Sequence, residues 1–401
     1  MVGYLLCVDI YADAMRICHI TNGGSWHLLP WIDACRQGGH EIHLVSPRWE
    51  GFPRGAVRGP KAPDSVDLGL LSGLNGVKLH VLPALRNKAL SFAFHLGQIY
   101  FGRLIENINP DIIHSHQVFP YGLYASLSRF HPHVTTAFGS EVLIHARRSR
   151  IRRWLTANPL TSADAITVDS EMLRQAVINL GGKASHCHLI HFGVDRDVFN
   201  PVIPRKQARE QLQLQGYPII LSPRLLMSNY NIDVILRSVP IVRKHFPNVL
   251  FLIKFGYGNL KEECESLVRT LEISDHVRFI GYVPDELMPL YYRASDVAVS
   301  IPSFDSAGRS NFEAMACDLP AIVSNLPWVD DIEHTYGANF IRLKRITPDD
   351  TADAIVRALR DKLLSNQLRK NNRHLLDRFM DRKIWCKKML NLYNKLAINP
   401  N

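Results

Sequence analysis

Paired cysteines, long apolar runs, a surplus of acid and internal repeats are all missing from this chain. Its seven cysteines (7, 18, 35, 187, 264, 317 and 386) are odd in number, dispersed, and never spaced as Cys-x-x-Cys. That distribution argues against a disulfide frame or a zinc site and for free thiols in a reducing cytoplasm. The N-terminus lacks a basic n-region, and Asp9 and Asp13 interrupt its apolar run, which speaks against a signal peptide and against a membrane span. Met15-Arg-Ile-Cys-His-Ile reads as the natural beginning of the fold, with residues 1–14 an upstream extension. Acid is the minority charge: 37 Asp and Glu stand against 47 Lys and Arg, a net +10. A basic molecule selects anionic partners, whether phosphorylated ligands, an anionic membrane face or nucleic acid. No basic helix with interleaved aromatics stands out, so nucleic acid ranks last and is not expected as a partner. There is no low-complexity tract. Neither glycine turn gives G-x-G-x-x-G with an acidic residue at the end of the next strand, which weakens a dehydrogenase reading.

What is present is enough for two domains of ordinary size, because 401 residues exceed one small core. Met15–Thr21 reads as a strand, Asn22-Gly23-Gly24-Ser25 as a turn, and Leu28, Leu29, Ile32 and Cys35 recur at helical spacing before a strand at Glu41–Ser46. This is one strand–helix–strand step of a parallel sheet. Residues 47–76 read as a surface loop, 77–81 as a half-exposed strand, and 84–105 as an apolar helix. Further buried strands are expected at Asp111–His116, His133–Phe138, Asp164–Ser170 and Cys187–Ile190, then at Pro218–Ser222, Val249–Ile253, His276–Ile280, Asp296–Ser300 and Ala321–Val323. Helical patterns or long crossovers separate most of them, so the expected fold is α/β with two parallel-sheet domains. His114 and His116 fall at a strand end, where open parallel sheets bind ligands. Their spacing is not that of a metal motif. Arg147, Arg148, Arg150, Arg152 and Arg153 form a dense basic run ending in Trp154. Such a run is either a solvated face or a site attracted to anionic lipid head groups.

The richest stretch runs from Ile301 to Asn325. Ser310 precedes Glu313 by three residues, with Phe312, Ala314, Met315 and Ala316 apolar, which is the sequence form of a helix start. Pro320 ends that helix and Ala321–Val323 is a buried strand. The loop Asp305–Ser310 therefore presents backbone N–H groups at a helix N-terminus, where an anion is favoured. Asp305 and Glu313 are carboxylates at its two ends, suited to a sugar and a ribose diol with a diphosphate between. Spacing alone leaves Glu313 equally readable as a capping partner of Ser310 and Asp305 as a turn residue.

These residues, DSAGRSNFEAMACDLPAIVSN, resemble the signature of retaining glycosyltransferase family 4, whose members share the GT-B fold of two Rossmann-like domains facing across a cleft. Glu313 and the run Glu-Ala-Met-Ala-Cys match, while Asp305 replaces the first of two glutamates. The likeness continues at Pro110-Asp-Ile-Ile-His-Ser-His116, at Gly193-Val-Asp195 with Phe199 and Pro201, at the glycine turn of Gly256, and at Val277-x-Phe-x-Gly281. At Gly139-Ser140-Glu141 the family's preceding histidine is Phe138. After Arg224, the lysine that the family carries five or six residues on is replaced by Asn229 and Tyr230.

The resemblance implies transfer of a sugar from a UDP- or GDP-linked donor to a glycan or lipid-linked acceptor, with retention, without a metal or other cofactor, and in cell-surface polysaccharide or lipopolysaccharide synthesis. It divides the chain into an acceptor-side domain at 1–204, a nucleotide-sugar domain at 205–378 and a returning helix at 379–401. Arg224, Asp305 and Glu313 would be catalytic. Gly308, Arg309, Ser310, Asn311, Gly256, Tyr282 and Val283 would bind the donor. Gly23, Gly24, His116, Gly139, Ser140 and Glu141 would line the acceptor side, and Arg309 would restore the charge of the missing lysine. The enzyme would be cytoplasmic, touching the inner membrane face through Arg147–Arg153. Two alternatives stand beside it: a degenerate relative acting as a partner or scaffold, and a nucleotide-cofactor dehydrogenase.

Overall fold

Most central strands in this protein are buried along their whole length because helices cover both faces of each sheet, while the strands Val77–Leu82 and Val277–Gly281 keep partly exposed positions. The computed structural model describes residues 14–21, 28–47, 76–82, 98–214, 216, 218–255, 258, 260–337 and 339–398. Expectations placed on residues 1–13, Gly23, Gly24, 48–75, 83–97 and Gly256 lie outside them. Thirteen strands are described: β1 (Arg16–Ile20), β2 (Glu41–Pro47), β3 (Val77–Leu82), β4 (Ile112–His116), β5 (His133–Thr136), β6 (Ala165–Val168) and β7 (Cys187–Leu189), then β8 (Ile219–Ser222), β9 (Leu250–Lys254), β10 (Val277–Gly281), β11 (Val297–Ser300), β12 (Ala321–Val323) and β13 (Ile341–Arg342). Two-residue β13 is too short to leave a periodic signal in sequence.

The chain divides into two units. Among the described residues, the first runs to His191 and resumes at Trp385, and the second is Phe192–Ile384. The first holds a seven-stranded sheet in the order β3-β2-β1-β4-β5-β6-β7, the second a six-stranded sheet in the order β10-β9-β8-β11-β12-β13. Every pairing is parallel. Both orders start in the middle, step outward one way, then return and step outward the other, which is the doubly wound arrangement.

In the second unit, Ile219, Leu221, Leu250, Leu252 and Ala298 pack with Phe312, Met315 and Trp328 on one face. The intervening residues Ile220, Phe251, Ile253, Val297 and Val299 pack with Ile235, Val239 and Val242 of the helix Ile232–His245 on the other. In the first unit, Cys18, Ile20 and Ile113 pack against Phe101 and Ile105 of the helix Gln98–Ile108. The opposite face of β1 and β4 carries histidine: His19 lies beside His114 in register, and His116 follows two residues on. At the N-terminal end of the second sheet, Asp296 accepts from Arg205 (2.6 Å), Arg209 (2.7 Å) and the Ile219 amide (2.8 Å), which ties the start of β8 in place.

Candidate active site

The C-terminal ends of β8, β9, β10 and β11 put the chemically useful side chains of the second unit together. Just past β8, Arg224 extends its guanidinium toward the loop that follows β11. One nitrogen donates to Asp305 Oδ2 at 2.7 Å and another to Ser310 Oγ at 3.1 Å. The Tyr230 ring lies 4.2 Å from the guanidinium carbon. Position 230, where the resemblance led to an expected lysine, therefore holds an aromatic face that braces Arg224. Burial alone would lower the Arg224 pKa, but the Asp305 carboxylate and the Tyr230 hydroxyl outweigh it and hold the group above its ordinary value.

The helix after this loop runs from Arg309 to Ala316, and Gly308 is its cap, with no side-chain capping bond. That corrects the expectation of Ser310 as the capping residue: Ser310 lies inside the first turn and accepts from Arg224 instead. Gly308 is needed for space rather than for a left-handed backbone. A Cβ there would fall 2.7 Å from Asn311 Nδ2, 3.0 Å from Asp305 Oδ2 and 3.2 Å from Arg224 Nη1. Asn311 is 1% exposed, and neither its Nδ2 nor its Oδ1 has a hydrogen-bond partner among the described residues. A buried amide left unpaired costs about 1–3 kcal/mol, so its retention beside a helix start marks a place built for a polar ligand.

Glu313 lies one turn on, buried. Its Oε2 accepts from the Tyr292 hydroxyl at 3.0 Å, and its Oε1 pairs with Arg309 Nε at 2.7 Å. Burial and then the Glu313 charge push the Tyr292 pKa well up, so the phenol stays a donor. Arg309 also reaches Asp285 at 3.4 Å. At the end of β10, Tyr282 is 74% exposed while Val283 is buried. One residue escaped the sequence reading. Lys254 ends β9, largely buried, and among the described residues its ammonium has neither a hydrogen bond nor an ion pair. Burial holds its pKa below the ordinary value; Glu313 and Asp285 oppose that, while Arg309 and Arg224 add to it. The available signal was a lysine closing an otherwise apolar run, Leu-Phe-Leu-Ile-Lys.

The expected acceptor-side residues lie in the first unit. Gly139 turns the chain after β5 with φ +119°, a conformation that favours glycine. Ser140 is half-buried and Glu141 buried, its Oε1 accepting the Phe138 amide at 2.7 Å. His116 is inside the packed face. Its Nε2 is 2.8 Å from His19 Nδ1, His19 Nε2 is 3.5 Å from Cys35 Sγ, and His114 lies between Tyr393 Oη (2.5 Å) and Thr136 Oγ1 (2.7 Å). Trp31 packs edge-on against His114 and His116, and Trp385 packs edge-on against Trp31. The three imidazoles bring ligand nitrogens within 4.8 Å of one another, the grouping among the described residues closest to a metal site. Both nitrogens of His19 and of His114 already meet protein atoms, so the trio is wired as a hydrogen-bonded core.

Outside both groups, Arg147, Arg148, Arg150, Arg152 and Arg153 are all exposed, together with Ile151 and Trp154. Ser149 caps the helix Arg150–Ser162, accepting from the Arg152 amide at 3.2 Å. Among the described residues no helix is long and apolar enough to cross a membrane.

Two family models cover most of the chain. The one described as Glycosyltransferase Family 4 matches residues 21–198, and the one described as Glycosyl transferases group 1 matches residues 204–375. The chain belongs to glycosyltransferase family 4. Among curated proteins it is 29% identical over 153 residues to mannosylfructose-phosphate synthase of Agrobacterium fabrum, covering 36% of this chain and 34% of that one. It is 25% identical over 169 residues to the GDP-mannose-dependent alpha-(1-6)-phosphatidylinositol monomannoside mannosyltransferase of Mycolicibacterium smegmatis, 40% of this chain and 44% of that one. The chain thus spans less than half the length of either relative. Anabaena Alr3699/HepE in complex with UDP and glucose superposes with a TM-score of 0.76 at 16% identity, over 95% of this chain and 100% of that one. That likeness establishes the GT-B fold of this glycosyltransferase.

Proposed function

We propose that this glycosyltransferase moves a hexosyl group, with retention, from a UDP- or GDP-linked donor to a lipid-linked or glycan acceptor in cell-surface polysaccharide synthesis. The observation that carries the reading is the unpaired Asn311 amide beside Gly308 and Arg224, at a helix start on the C-terminal side of a parallel sheet. A relative named as GDP-mannose-dependent and a fold neighbour holding UDP and glucose support a nucleotide-sugar donor.

In the reaction the bond from the anomeric carbon to the diphosphate oxygen breaks, and its electron pair stays on that oxygen. Arg224 and the first-turn amides stabilise the charge that develops there. The acceptor hydroxyl oxygen bonds to the anomeric carbon on the same face, and its proton passes to the departing phosphate oxygen. No side chain has to act as a strong base. Glu313 is placed to hold the ribose hydroxyls, Asp305 to hold Arg224 and face the sugar, and exposed Tyr282 to stack on the base.

The exposed arginine run supports action at an anionic membrane face. Cations in the first turn of a helix oppose its dipole, so Arg150, Arg152 and Arg153 do not serve that helix, and Ile151 and Trp154 give them an apolar neighbour. The test is incubation with UDP-glucose, UDP-galactose or GDP-mannose and a bacterial lipid extract, with mass spectrometry of the products and NMR of the new linkage. A product with the donor's α configuration is expected. An inverted product, or silence toward every donor, overturns the reading; donor binding without turnover points to the degenerate relative that Phe138 and the replaced lysine favour.

A further inference from the structure

From the strand-end geometry we infer that Lys254 supplies the second cation for the departing diphosphate, taking over from the loop position 229–230 that holds Asn229 and Tyr230. The inference rests on the donor-site reading above and adds a residue to it.

Most charges around the helix start are already spoken for. Arg224 is committed to Asp305 at 2.7 Å. Arg309, the residue expected from sequence to make up the missing charge, is committed to Glu313 at 2.7 Å and leans on Asp285 at 3.4 Å. Three carboxylates therefore offset two guanidinium groups before any ligand arrives. Lys254 is the remaining cation of the group, and it is the one with no carboxylate at ion-pair distance among the described residues. A largely buried ammonium without a partner is expensive and persists only where something rewards it. An incoming anion is that reward.

Placement comes from the sheet. In the β8–β9 register Ser222 pairs with Ile253, so Lys254 lies level with Pro223, one residue short of Arg224. The two cations thus leave adjacent strand ends on the side where parallel sheets bind ligands. A lysine on a loop after β8 and a lysine ending β9 lie about 25 residues apart in sequence yet reach the same place, because neighbouring strands are about 4.8 Å apart. Tyr230, freed from carrying charge, braces Arg224 instead. Lys254 touches the phosphate oxygens only. The bonds made and broken are those of the reaction above, and the proton count is unchanged.

The experiment is calorimetric titration of the full chain with UDP and GDP, and with UMP and GMP as controls, for wild type, Lys254→Met, Lys254→Arg and the double variant Lys254→Met/Asn229→Lys. The wild type is expected to bind one diphosphate. Lys254→Met should weaken that binding about 10- to 100-fold, as loss of a charge-assisted bond does, and change monophosphate binding less. Lys254→Arg should keep most of the affinity and the double variant recover part of it. Thermal melts of the ligand-free samples separate this from a structural role: Lys254→Met should melt at or above the wild-type temperature, since an unpaired buried charge is removed. A variant that melts lower with nucleotide affinity unchanged overturns this inference and leaves the proposed function standing. A wild type that binds neither diphosphate overturns both.

Discussion

The two sheets are wound in the same order, yet the side chains near their strand ends follow opposite rules. In the second unit the residues at or after the ends of β8, β9 and β11 are charged: Arg224 pairs with Asp305, Arg309 pairs with Glu313, and Lys254 has no partner at ion-pair distance among the described residues. In the first unit β1, β4 and β5 carry imidazoles and hydroxyls, all buried, joined into a neutral relay from Tyr393 through His114 to Thr136 and Thr167. The contrast teaches what a strand end needs in order to act on a ligand. Charges that keep a little exposure can be re-paired with an anion; groups sealed in the packed face behind Trp31 can only hold the core.

Breaking the charged side should have the largest effect. Arg224→Ala removes the guanidinium proposed to meet the leaving group, and kcat should fall about 100- to 1,000-fold, with Arg224→Lys between that and wild type because it keeps charge and loses the fork. Turnover of whichever probe donor yields product measures it, and an unchanged kcat would dissolve the contrast. Acid should act next, on the first unit. Burial holds His19 at about 3 and His133 and His191 at about 4, against 6.5 in the unfolded chain. The unfolded state therefore binds protons that the folded state refuses, so stability is full above pH 6.5 and is lost as pH falls from there toward 4. Near pH 5 each such group costs about 2 kcal/mol. Hydrogen exchange should show the first unit opening before the second on acidification; equal protection in both would contradict the assignment. The smallest effect is Tyr393→Phe, which deprives His114 Nδ1 of its partner while Nε2 keeps Thr136. Stability should drop by about 1 kcal/mol, a shift of about 2–4 °C in the melt. Nucleotide affinity should stay as it was, and a change in UDP or GDP binding would show the relay to be coupled to the site.

Most of the architecture was readable in advance, because a strand buried on both faces must be apolar and its helical crossovers must be amphipathic. That is why β1, β4, β8 and β11 were expected within a residue or two of where they lie. The helix start near 308 was also readable, although Gly308 rather than Ser310 caps it, since close approach of Arg224 and Asn311 leaves no room for a side chain. The pairings were not. Arg224 meets Asp305 across 81 residues, and Lys254 was passed over because a motif looks five or six positions along the chain while a parallel sheet sets neighbours about thirty apart. His116 looked like a ligand at a strand end, and only the C-terminal helix Arg382–Ile398, bringing Trp385 and Tyr393 over β4, turned that face into core.

By itself, then, the order of residues determined two parallel sheets, a glycine-led helix start and a basic chain, since local patterning and composition act within a few positions. The tertiary structure alone decided which cation stands uncommitted and which histidines are sealed, because charge pairing and burial are settled by neighbours that the chain separates by tens to hundreds of residues.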